Sequence, residues 1–157
     1  MTEPRSLPLR PALPADLPAI EALIADSYGP WVARIGVRPG PLDDDYAALI
    51  AAGRILVLDE AGALQALLVL VPEPEPAPGA MLLDNLAVAR AAQGRGLGRA
   101  LVAEAETRAR ALRLPVLRLY THARMESNIA LYQRLGFAIT ERRIDKGLDR
   151  VFMAKPL

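Results

Sequence analysis

The chain has 157 residues, with 19 basic against 18 acidic side chains and a net charge of +1. Apolar residues make up 52% and charged residues 24%, ordinary usage for a folded soluble domain, which excludes disorder as the main state and a nucleic-acid binder working through bulk charge. There is no cysteine, so disulfides, thiolate metal sites and a cysteine nucleophile are excluded as well.

Taken in chain order, Ser6 to Arg10 reads as a short strand ended by Pro11. Asp16 then stands where it can cap a helix whose apolar positions Leu17, Ile20, Leu23 and Ile24 follow helical spacing. Tyr28-Gly29-Pro30 predicts the end of that helix. From Trp31 to Pro41 no clean period exists, which predicts a partly helical connection. A second helix is expected near Asp44 to Ala52, closed by Gly53. Arg54 to Asp59 and Leu64 to Val71 read as two strands of a hairpin joined through Glu60 to Ala63. The proline-dense run from Pro72 to Gly79 is expected to be a semi-rigid loop, since strand interiors exclude proline. Met81 to Val88 reads as a strand, Gly98 to Leu112 as a helix, Pro115 to Thr121 as a strand and Glu126 to Leu135 as a short helix ended by Gly136. Phe137 to Arg143 and Arg150 to Lys155 are the last strands, turned at Lys146-Gly147. The order predicts an α+β domain with a mixed sheet of about seven strands, about four helices and a β-α-β crossover at its centre.

The most informative segment is the passage from Leu86 to Leu101. A strand enters a loop carrying Gly94, Gly96 and Gly98 and leaves it directly as a helix. Alternating glycines let the backbone approach a ligand and present successive N–H groups. The start of a helix adds unpaired donors and about half a unit of positive charge. Together they suit an anion, most naturally phosphate, and Arg95 and Arg99 stand where they can add charge. A dinucleotide fingerprint fails, because Arg99 or Leu101 falls where its third glycine would be. A Walker loop fails for want of a lysine. The bland alternative is a tight strand–helix turn without ligand.

The run Gln93-Gly94-Arg95-Gly96-Leu97-Gly98, following Asn85-Leu86-Ala87-Val88, resembles the acetyl-coenzyme A pyrophosphate loop of the GCN5-related N-acetyltransferase (GNAT) superfamily. Downstream, Asn128-Ile-Ala-Leu-Tyr132-Gln-Arg-Leu-Gly-Phe137 resembles that superfamily's last helix and following strand. The two stand in the family's order and at its usual separation, and the element order extends the resemblance over nearly the whole chain. It implies the GNAT fold, with parallel strands 4 and 5 (Met81–Val88 and Val116–Thr121) splayed to admit the pantetheine arm of acetyl-CoA. It further implies that the backbone at Leu86, Ala87 and Val88 meets the pantetheine amides, that the N–H groups from Gln93 through Arg99 hold the pyrophosphate, and that Asn128 contacts the cofactor arm, with capping or helix packing as its alternative.

The activity implied is acetyl transfer to a primary amine by direct attack in a ternary complex. Its alternative is a non-catalytic acetyl-CoA-binding or sensing module on the same fold. An amine with a pKa near ~10 must lose a proton before it attacks, and the departing thiolate benefits from a nearby proton donor. Tyr132, at the family's tyrosine, is the candidate donor, or else an ordinary helix tyrosine. Asp84, on the face of Leu86 in an unbroken strand, is the candidate base, or else a solvated or paired carboxylate. His122 stands at the cleft mouth, as a second candidate base, a substrate contact or a surface histidine.

The acceptor is expected against Tyr28, Trp31, Arg34, Arg38 and the run Asp43-Asp44-Asp45-Tyr46, although the two aromatics can equally serve as core lids and the aspartates as a helix cap. The whole is expected to be a single N-acetyltransferase domain over residues 1–157. No metal site, nucleic-acid partner or membrane partner is expected, and a homodimer is plausible. The first residues lack the basic-then-apolar order of a secretory leader, and with the absence of cysteine the expectation is a cytoplasmic protein.

Overall fold

A computed structural model describes residues 7–157 of the chain. Of the expected first strand, Ser6 lies outside the described residues. The elements are β1 (Arg10–Pro11), α1 (Leu17–Ile35), α2 (Tyr46–Ala51), β2 (Ile55–Glu60), β3 (Ala63–Glu73), β4 (Ala80–Val88), α3 (Leu97–Ala111), β5 (Val116–His122), α4 (Glu126–Arg134), β6 (Ala138–Asp145) and β7 (Leu148–Pro156), with 3₁₀ turns at Pro14–Asp16, Gly40–Asp43 and Arg90–Ala92. The strands form one seven-stranded sheet in the order β1-β2-β3-β4-β5-β7-β6. It is a mixed sheet, because β4 and β5 run parallel while β1–β2, β2–β3, β5–β7 and β6–β7 are antiparallel. The α+β architecture read from the sequence is the one observed. Among the described residues, no helix is long and apolar enough to cross a membrane.

The chain divides into two compact units, and β3, β4 and α3 each pass from one to the other. The first holds the described residues up to Leu70 together with Asn85–Ala105. Its centre is the hairpin β2–β3, where Ile55 to Leu58 and Ala66 to Leu70 are all buried. A continuous apolar run of this kind is what a strand needs when both its faces are covered. The hairpin turns on Ala61-Gly62, both at positive φ (55° and 85°), as a two-residue loop between twisted strands requires. Helix α1 buries Ile20, Leu23, Ile24, Tyr28 and Ile35, at the spacing of one helical face.

Three expectations change in this region. α1 does not stop at Tyr28-Gly29-Pro30 but continues to Ile35, ending where Gly36 adopts φ 76° and donates its N–H to the Val32 carbonyl. Pro30 deprives the helix of one hydrogen bond, on its exposed side, while Tyr28 and Ile35 on either side of it are held in the core. Asp16 precedes α1 but makes no side-chain cap to it. Its carboxylate instead accepts the Leu13 N–H (2.7 Å) and both Arg10 guanidinium nitrogens (2.8 and 3.0 Å), and these bonds pull its pKa down to about 2. Pro11 does not end the first strand but belongs to it, paired with Leu56, as an edge strand allows. Asp45 is the aspartate that caps α2, accepting the Ala48 N–H at 3.0 Å.

The second unit is Val71–Asp84 with Glu106–Leu157. Here β3 runs through Pro72 to Glu73, so the loop begins later than the proline run suggested. The ladder with β2 reaches only Ile55↔Val69, followed by a bond from the Leu70 N–H to the Arg54 carbonyl. Pro72 lies past the end of β2, so its missing N–H costs no bond on that side. Leu117, Leu119, Val151 and Met153 are buried, while the opposite face carries Arg118, Tyr120 and His122 beside their partners Ala154, Phe152 and Arg150. Lys155 ties β7 down, donating to the Leu135 carbonyl (2.8 Å) and pairing with Glu106 (2.5 Å).

Candidate active site

The strand β4 leads into the glycine loop, and its tail is fastened before the loop begins. Asn85 is buried (3% exposed) inside an otherwise apolar strand, a placement that needs hydrogen-bond partners on both its amide atoms. It has them. Its Oδ1 accepts the Tyr28 hydroxyl of α1 (2.5 Å) and its Nδ2 donates to the Tyr46 hydroxyl of α2 (3.0 Å), which in turn donates to the Pro41 carbonyl (2.5 Å). The Tyr28 hydroxyl also lies 3.1 Å from the Leu86 carbonyl. Tyr28 thus has its hydroxyl at the backbone of β4, while Trp31 and Arg34 on the same helix stack on each other, with the guanidinium carbon 4.6 Å from the ring centre. Arg38 pairs with Asp43 at 2.7 Å.

Beyond Val88 the chain makes a single 3₁₀ turn, docked to α1 by a hydrogen bond from the Arg90 N–H to the Asp26 carboxylate (2.9 Å). The Gln93 side chain donates back to the Val88 carbonyl (3.3 Å). Gly94 and Gly96 then take φ 84° and 78°, with open space where a Cβ would stand. Among the described residues, none of the N–H groups from Gly94 through Arg99 makes a backbone hydrogen bond, and Ala100 is the first to do so, to the Gly96 carbonyl (3.1 Å). Six successive main-chain donors therefore stand at the entrance of α3. Leu97 and Ala87 are buried and Gly94, Arg95, Gly96 and Arg99 exposed. Arg95 forms a two-pronged pair with Glu60 at the end of β2 (3.0 and 3.3 Å).

The second unit carries the remaining candidates. Asp84 accepts the Tyr120 hydroxyl at 3.1 Å. Tyr132 lies on α4, 8% exposed, with its ring edge-on to Phe137 at 5.6 Å. Burial pushes its phenol up to about 12, so it stays protonated throughout the neutral range. Asn128, one turn earlier, is half-buried.

A family model described as the acetyltransferase (GNAT) family matches residues 17–137. The chain belongs to this family. No curated protein matches it by sequence. Its fold is similar to that of the PaiA N-acetyltransferase of Thermoplasma acidophilum in complex with coenzyme A, with 17% identity and a TM-score of 0.76 over 98% of this chain and 100% of that one. The ribosomal-protein-alanine N-acetyltransferase of Brucella melitensis is 26% identical, with a TM-score of 0.69 over 96% and 100% of the two chains. Naa50 of Arabidopsis thaliana, in complex with the bisubstrate analogue CoA-Ac-MVNAL, is 19% identical, with a TM-score of 0.74 over 98% and 100%.

Within this GNAT chain the parallel ladder consists of Met81↔Leu117 and Leu82↔Arg118, and both strands run on past it, to Val88 and His122. Tyr120 holds Asp84 without having been singled out for it in the sequence. A signal for Tyr120 existed in the alternation Arg118-x-Tyr120-x-His122, which puts three polar side chains on one face of a strand.

The geometry of His122 bears on the choice of base. Its Nδ1 accepts the Arg124 N–H at 3.1 Å, so in the neutral ring the proton sits on Nε2 and no free lone pair remains there. Its pKa is lowered, chiefly by burial and further by Arg124, Arg142 and Arg150, with Asp149 opposing them. His122→Ala is therefore expected to leave the rising limb of the pH–rate profile where it is. Loss of that limb in the variant would make His122 the base.

Proposed function

We propose that this GNAT protein moves the acetyl group of acetyl-CoA directly to a primary amine. The observation that carries the reading is the run of six unpaired N–H groups at Gly94–Arg99 opening α3. Convergent main-chain donors at a helix start favour a bound anion through hydrogen bonding and the helix dipole together, and a diphosphate fits that chemistry. In this reading the backbone of Leu86, Ala87 and Val88 meets the pantetheine amides. The Leu86 carbonyl keeps a second lone pair beside Tyr28 for this, and so does that of Val88 beside Gln93. Asn128 contacts the arm, and Tyr28, Trp31, Arg34 and His122 form the acceptor's surroundings.

Asp84 takes the proton of the attacking ammonium. The amine nitrogen then forms its bond to the thioester carbon, and collapse of the tetrahedral intermediate breaks the carbon–sulfur bond, while the nitrogen's second proton leaves to water as the neutral amide forms. Tyr132 meets the sulfur as a hydrogen-bond donor. With its phenol near 12 and an ordinary thiol near ~8.5, full transfer of the tyrosine proton is uphill by several units. Its contribution is stabilisation of the developing thiolate rather than a completed proton transfer.

The loop offers a direct check. Gly94→Ala and Gly96→Ala force an L side chain to positive φ, at a cost of about 1–2 kcal/mol each. Each is expected to raise the dissociation constant of coenzyme A about tenfold, measured by calorimetry. Unchanged affinity in both would remove the loop from the binding site. For the reaction as a whole, calorimetry with acetyl-CoA is combined with thiol release over a panel of small, polyamine and peptide amines. Binding with turnover on one class supports the reading. Binding without turnover on any amine points to a non-catalytic sensor, and absence of binding defeats both.

A further inference from the structure

One face of the second unit carries a polar chain of which the proposed reaction uses only Asp84. Asp84 of β4 accepts the Tyr120 hydroxyl of β5 (3.1 Å). The Arg150 guanidinium of β7 lies over the Tyr120 ring, 4.4 Å from its centre, and is itself held by Asp145 of β6 at 2.6 Å. Arg150 is 8% exposed, an unusual depth for a guanidinium and one that needs its partners. Phe152, the cross-strand partner of Tyr120, sits against the same ring at 5.8 Å. Four strands thus contribute to holding one phenol against one carboxylate.

We infer that Tyr120 is the positioning residue of Asp84, holding its carboxylate in one orientation. A hydrogen bond from a neutral hydroxyl to a carboxylate favours the charged form. A cation over the ring face is attracted to the tyrosine's π-system and polarises the hydroxyl toward donation. Among the described residues, Arg118 acts on Asp84 through its charge and Tyr120 through its hydroxyl, both from β5. Behind them, Glu73 of β3 holds Arg118 at 2.5 and 2.8 Å, and Arg150 of β7 covers Tyr120. Arg118 and Tyr120 both favour a carboxylate held on this face of the sheet. A carboxylate fixed by a neighbour also presents the same oxygen to each incoming ammonium, which is the geometric half of general-base catalysis.

The inference rests on the reading of Asp84 as base, and its test separates the two. In Tyr120→Phe, the carboxyl carbon of Asp84, followed by ¹³C NMR in the protein without substrate, should titrate about 1 unit higher than in the wild type, the worth of one lost hydrogen bond to a charged group. The rising limb of kcat/KM for acetyl-CoA and the best amine of the panel should move up by the same amount. At a pH on that limb the variant is then about tenfold slower, while on the plateau the two enzymes converge. A merely structural tyrosine would lower the plateau and leave the limb in place. Site-specific fluorotyrosine at position 120, a stronger donor, should move both readings down. An unchanged Asp84 titration in the folded variants overturns the inference. A shifted titration beside an unmoved limb supports the pairing and overturns Asp84 as the base.

Discussion

Asp84→Asn should lower kcat/KM for amine acetylation by about 10²- to 10⁴-fold, the range a positioned general base supplies. The amide keeps the shape of the carboxylate and can still accept the Tyr120 hydroxyl through its oxygen, so the fold and the affinity for coenzyme A are expected to stay as they are. The rising limb of the wild type should be replaced by one that follows the amine's own titration. What remains is attack by the small fraction of amine already deprotonated in solution, whose rate climbs tenfold per pH unit toward the amine's own pKa near ~10. A wild-type limb in the variant, or a loss confined to KM, would show that another group or a water takes the proton.

Tyr132→Phe is the second large effect. The substitution removes one oxygen and keeps the ring that packs edge-on against Phe137, so stability should change little. Removing a donor aimed at developing charge in a dry site costs about 10²–10³ in turnover, and that loss is expected in kcat with the dissociation constant of coenzyme A unaltered. The wild-type phenol is pushed up to about 12 by burial, so no falling limb from Tyr132 is expected below pH ~11. A better leaving thiol should rescue the variant in part, since it has less need of the donor. Measuring acetyl-CoA against an acyl donor with a more acidic thiol therefore distinguishes a role at the sulfur from a packing defect, which no leaving group repairs.

The glycine loop was legible from the sequence because positive φ at Gly94 and Gly96 is a demand few other residues meet. The hairpins were legible for a related reason, since Ala61-Gly62 and Lys146-Gly147 both turn through the left-handed region. The helix end at Gly29-Pro30 was misread because local signals weigh one lost hydrogen bond and cannot weigh the burial of Tyr28 and Ile35 around it. Pro72 misled in the same way, its tolerance depending on where β2 ends. The pairing of Asp84 with Tyr120 depends on the register Leu82↔Arg118 between two parallel strands, which no local pattern encodes. Asn85 stood out in the sequence only as the start of the run Asn85-Leu86-Ala87-Val88 before the glycine loop. That Tyr28 and Tyr46 would answer it came from the approach of two helices far away in sequence.

The pairing of Arg95 with Glu60 has a consequence for how the protein meets polyanions. One of the two arginines at the loop, Arg95, is thus already paired, so part of the attraction for a multiply charged ligand falls to amide dipoles, which act over a few ångströms and only in one geometry. A molecule of nearly balanced charge can in this way retain a doubly anionic group without a broad basic surface.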